Sequence, residues 1–148
     1  MSDVVEIYKL QYERIAQHEN QRLTFSNLVV VITVAVLTFS AETKLQAEPL
    51  PFFLIAILLV LINFIAIQFI GKSRFWIKHH QARAHAILSE HLPDISGIIK
   101  SIEKPNSDAD SSRRPNLQRN LHLTIIIITT AYSLFFVWPI IASFVCSA

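Results

Sequence analysis

Four of the six histidines, His79, His80, His85 and His91, fall within thirteen residues, in a segment that also holds Lys72, Arg74, Lys78 and Arg83. Imidazoles this close invite a metal reading. Helical chelation, however, wants ligands three or four residues apart, and these are spaced by one, five and six. The single cysteine, Cys146, excludes an intrachain disulfide and any multi-cysteine zinc or iron–sulfur site. No metal and no other cofactor is therefore expected. Anion binding suits the spacing better: on a helix Arg74, Lys78, Gln81 and His85 lie at i, i+4, i+7 and i+11 and share one stripe, flanked by His79 and Arg83. Anionic lipid headgroups account for Arg74 and Lys78. They account less well for Arg83, His85 and His91, which a straight helix carries roughly 15–25 Å past the interface. Arg74, Lys78, Gln81, Arg83 and His85 are the candidate site for a nucleotide or oligonucleotide.

A second set of polar residues stands where polarity is costly. Ser26, Thr33 and Ser40 recur every seven residues along one face of an apolar run, with Asn27 and Thr38 on an adjacent line. Asn63 sits in the middle of another run, with Ala56 and Ala66 near its face. A third run carries Thr124, Thr129, Thr130, Tyr132 and Ser133. Helix packing in lipid explains most small and hydroxylated residues. An amide at mid-membrane must bond to a neighbouring helix or line water. Ser26, Asn27, Thr33, Ser40 and Asn63 are the candidate pore-lining residues. No Asp, Glu, Lys or Arg lies within these runs, which argues against proton pumping, ion-coupled transport and voltage sensing.

The elements that position both sets follow from the hydropathy pattern. Of 148 residues, 52% are hydrophobic and 16% charged, whereas a soluble domain carries about 25% charged residues. The apolar residues concentrate in three uncharged runs, 23–41, 49–71 and 121–148, the last interrupted only by the titratable His122. Roughly 20 apolar residues suffice to cross a bilayer. The expected fold is an all-α membrane protein with three transmembrane helices, since the remaining segments cannot form a shell around three buried helices. The 22 residues ahead of the first run hold four acids against three bases, too long and too acidic for the n-region of a cleaved signal. The first run therefore reads as a retained span.

Residues 1–22 predict an amphipathic helix that enters the membrane unbroken, since no Pro or Gly precedes Pro49. Val5, Tyr8, Tyr12 and Ile15 make its apolar seam. An outer loop at 42–48 leads to Pro49 and Pro51, which suit a first helical turn. The second span continues into a basic helical extension at 72–104, limited by Pro93 and followed by an amphipathic piece that Pro105 ends. The composition of 105–120, rich in Pro, Asn, Asp and Ser, predicts a flexible linker before the third span. Three of the 13 Lys and Arg residues precede the first span, one lies in the outer loop and nine lie between the second and third. The positive-inside rule puts the N-terminus in the cytoplasm and the C-terminus outside.

Three helices alone enclose little, so a symmetric homo-oligomer, a tetramer or similar ring, is expected. Its basic mouth would favour anions. Arg74 and His79 also form an Arg-x4-His spacing similar to that of HEPN ribonucleases. Such a pair recurs by chance in basic segments, and no nucleophile elbow, Walker loop or paired carboxylates accompany it, so no enzyme is expected.

The layout, a charged N-terminal helix (EIYKLQYERIAQHENQRLTF) running into a span, then a hairpin and a basic extension, resembles the small multi-pass membrane effectors of bacterial anti-phage defence. It is similar in plan to the Hailong transmembrane effectors. The resemblance implies an inner-membrane ion channel causing depolarisation in abortive infection, and a nucleotidyltransferase partner that makes an oligonucleotide signal. It rests on arrangement and carries over no individual residue. A holin-like toxin, active without ligand, and a non-conducting scaffold or accessory subunit fit the same composition.

Overall fold

The computed structural model describes residues 2–43, 49–110 and 114–146. Among these the chain is all-helical, with four helices: α1 (Ser2–Glu42), α2 (Pro49–His91), α3 (Pro93–Asp110) and α4 (Arg114–Cys146). α1 and α2 run 41 and 43 residues, and each is long and apolar enough to cross a membrane. α1 passes from its charged first half into the apolar run without interruption, as the lack of Pro and Gly requires. α2 likewise continues through Gly71 into the basic segment. It stops at His91 because Pro93 disfavours helical geometry at Leu92; Pro93 then opens α3, where its missing N–H costs nothing.

Two expectations need correcting. The composition predicts a helix end at Pro105 and a linker over 105–120. α3 instead runs through to Asp110 and α4 begins at Arg114. A proline removes one N–H bond and crowds one carbonyl, and here the helix carries that cost. The seam on α1 is also shifted. Tyr12 is exposed, and Gln11 and Ile15 are the buried residues, for a reason given below. The outer loop expected at 42–48 falls mostly on 44–48, outside the described residues.

The chain divides into two compact units. One comprises Ser26–Gln68 and Arg119–Ala148, and the other Met1–Phe25 and Phe69–Gln118. In the first unit the polarity of a water-soluble protein is reversed. Its buried residues include Ser26, Thr33, Ser40, Asn63, His122, Thr129 and Ser133, together with Val29, Phe52, Ala56, Leu59 and Ala66. Its exposed residues include Val31, Val34, Phe39, Leu54, Leu58, Phe64, Ile127 and Phe135, the last 74% accessible. Phe52 sets its ring edge-on against Tyr132 at 5.8 Å and Phe136 at 5.9 Å, joining α2 to α4. Water would drive those outer side chains inward; hydrocarbon has no such preference and penalises exposed polar groups instead.

The second unit packs the first half of α1 against the second half of α2 and the start of α3. Ile15, Ile70, Ile77, Ala84 and Leu88 are buried in it. Val4 and Tyr8 of α1, Leu88 and Leu92, and Ile95 and Ile99 of α3 line an apolar hollow of about 230 Å³.

Candidate functional site

In the first unit a single chain of hydrogen bonds joins α1, α2 and α4. His122 is fully buried. Its Nε2 lies 2.8 Å from Ser26 Oγ, and its Nδ1 lies 2.8 Å from Asn63 Oδ1. Asn63 Nδ2 donates to Thr33 Oγ1 and to Leu59 O, both at 2.9 Å. Thr33 Oγ1 in turn donates to Val29 O at 2.8 Å.

The direction of every bond follows from one carbonyl. Leu59 O can only accept, so the Asn63 amide must present its NH2 on that side and its oxygen to His122. An oxygen there requires a proton on Nδ1, and in the neutral ring Nε2 is then the acceptor for the Ser26 hydroxyl. Donors and acceptors alternate through the network with none left over, which is the condition for a buried polar cluster to add order rather than cost. Thr129 differs: its Oγ1 is buried with no partner among the described residues, although its carbonyl accepts from Ser133 Oγ at 2.7 Å. Hydroxyl, imidazole and amide oxygen in this order have the connectivity of an activated nucleophile. Ser26 is 2% accessible, however, and a nucleophile needs room for the group it attacks. What the arrangement can do is hold three helices in one register.

The five residues of the pore-lining expectation fall in two places. Ser26, Thr33, Ser40 and Asn63 are turned into the unit's interior, with Ser40 Oγ bonded to Val36 O at 2.8 Å. Asn27 is exposed, as is Thr38. His122 was legible only as the one basic side chain in an otherwise uncharged run, which is the signal that could have placed it here.

In the second unit the basic stripe of α2 flanks the buried seam. Lys78, Gln81 and Arg83 are exposed, and Arg74 and His85 are half-buried. The seam itself has Ser73, Ile77, His80, Ala84 and Leu88 at helical spacing. Ser73 Oγ donates to His18 O at 3.0 Å. His80 Nδ1 donates to Gln11 Oε1 at 2.9 Å, which explains why Gln11 rather than Tyr12 faces inward. The His18 ring stacks on Trp76 (6.5 Å, 13°) and on His80 (5.7 Å, 25°), while His79 stacks on Phe75 at 6.4 Å. Desolvation holds the His80 imidazole below its ordinary pKa, and so do His18, Arg83, His79 and Arg14. Sequence spacing missed His18 and Gln11, because their partners lie some fifty to seventy residues away, and it gave no signal for Arg22, whose Nε is buried without an acceptor among the described residues.

Among the described residues, no three His, Cys, Asp or Glu side chains group as metal ligands. Comparison with known protein families, curated proteins and solved structures finds no match to this chain.

Proposed function

We propose that the chain is a three-span subunit of an oligomeric membrane ion channel, an effector of bacterial anti-phage defence opened by an anionic nucleotide or oligonucleotide or by a partner protein. The observation that carries the membrane part is the reversed polarity of the first unit, which suits a lipid surround. α4, 33 residues long and uncharged from Leu121 onward, supplies the third span. The nine basic residues between the second and third runs support an orientation with that segment and the N-terminus in the cytoplasm and the C-terminus outside, in this reading across a bacterial inner membrane.

The conduction path in this reading runs between copies. The interior of one copy is closed by the Ser26–His122–Asn63–Thr33 bonds, so those residues hold the bundle. Asn27, Val31, Val34 and Thr38 form an exposed stripe on α1, polar at both ends, and face the axis. The basic stripe Arg74, Lys78, Gln81, Arg83 and His85 receives the signal, and a nucleotidyltransferase is the partner that would make it.

Flux from proteoliposomes, with and without short oligonucleotides, tests this directly. Ligand-dependent flux that is lost in Asn27→Leu/Thr38→Val, with native mass spectrometry showing the same assembly, is the expected result. Flux without any ligand makes the chain holin-like. An assembly that never conducts is a scaffold, and a monomer overturns the proposal altogether.

A further inference from the structure

The groups acting on His80 are all basic: His18 and Arg14 from α1, and Arg83 and His79 from α2. A cluster of this kind, brought together by packing two helices, ordinarily recruits a carboxylate to offset it. None is among the groups that act on this ring. One helical turn from His18, the Arg22 Nε is buried and meets no acceptor among the described residues. Arg14, His18 and Arg22 lie at i, i+4 and i+8, on one stripe of α1. Trp76 stacks on His18 and adds an aromatic wall. Buried guanidinium N–H groups without acceptors are rare, and a missing acceptor beside several cations has a definite chemistry.

We infer that the seam between α1 and α2, with Arg14, His18 and Arg22 on one helix and Trp76, His80 and Arg83 on the other, binds a phosphate-bearing anion. Phosphate oxygens supply the acceptor that Arg22 lacks, and a doubly charged group offsets the imidazoles and guanidiniums around it. Binding is coupled to protons. An anion favours the charged form of His80, so the complex takes up protons and tightens as pH falls through the imidazole range. This deepens the ligand-gated reading above and rests on it for its purpose. It moves the site from the basic stripe of α2 to a seam that α1 completes. The same chemistry serves a lipid headgroup or a free phosphate.

Trp76 is the reporter. Trp138→Phe leaves it as the sole indole of the full-length chain. In nanodiscs of neutral phosphatidylcholine, inorganic pyrophosphate is expected to change Trp76 emission saturably. Arg22→Gln and His80→Gln each weaken that response about tenfold, Arg22→Lys recovers part of it, and Arg119→Gln leaves it unchanged. Sulfate, whose charge is constant across this range, binds several-fold tighter at pH 6 than at pH 8. If pyrophosphate gives no response but phosphatidylglycerol nanodiscs do, with the same variant dependence, the anion is a lipid headgroup. No saturable response to either, or one that the Arg22 and His80 variants share at full strength while circular dichroism shows them folded, overturns the inference. Binding is read by fluorescence and conduction by flux, so either claim fails without the other.

Discussion

Replacing His122 with phenylalanine keeps a ring of similar size in the bundle and removes both nitrogens. Two interhelical bonds then vanish, the 2.8 Å contacts to Ser26 Oγ and Asn63 Oδ1. Interhelical hydrogen bonds in membranes contribute about 0.6 kcal/mol on average and at most about 1.7, so the pair is worth about 1–3 kcal/mol. The upper half of that range is expected, because Asn63 Oδ1 is left buried without a donor. Ser26→Ala alone removes one bond and costs about 0.6 kcal/mol. In the double variant Ser26 has no partner left to lose, so the cycle returns a coupling of about 0.6–1.7 kcal/mol rather than zero. Thr130→Val, at an exposed position of the same helix, is the control and changes nothing. Equilibrium unfolding in mixed micelles, titrated with a denaturing detergent, measures all four. Additive single-variant effects, or a phenylalanine variant as stable as the parent, refute the network as the tie between the three helices.

Three further outcomes are expected. Because burial and basic neighbours depress His80, the folded chain binds fewer protons than the unfolded one, and stability rises with pH. The contribution is complete above about pH 6.5 and is lost as pH falls below it; a thermal-unfolding slope between pH 7.5 and 5 that His80→Gln does not flatten speaks against the cluster. Leu58, 63% accessible on the apolar exterior, becomes a burden as Arg: insertion is weakened by about 2.5–3.5 kcal/mol near mid-membrane, seen as loss from the membrane fraction. Gly71→Ala meets nothing within 4 Å and gains up to about 1 kcal/mol of helix stability in α2, raising the unfolding midpoint; a drop would mean that the position is needed bare.

The long apolar helices α1 and α2 were readable because an uncharged run whose interior lacks Pro and Gly has few alternatives to a long helix. The seven-residue recurrence of Ser26, Thr33 and Ser40 likewise announced a polar face. Periodicity assigns residues to a face and does not say what the face meets. Whether it looked to a shared axis or to α2 and α4 depended on Asn63 and His122, 30 and 96 residues away from their partners Thr33 and Ser26. The register of α1 failed for the same reason. Hydropathy favours Tyr12 over Gln11, and the bond from His80, 69 residues along, reverses the order. Pro105 marks a propensity that the helix overrode, and no local rule reports that.

A helix advances by 100° per residue, so shifting α4 by a single position swings its imidazole away from both partners at once. The bond to α1 and the bond to α2 cannot be given up separately by such a twist. Motion inside this unit is thereby quantised: its three helical segments travel together, or they part in one abrupt step. Graded sliding of one rod past the others is closed to this bundle, and a response built on it would be a click rather than a dial.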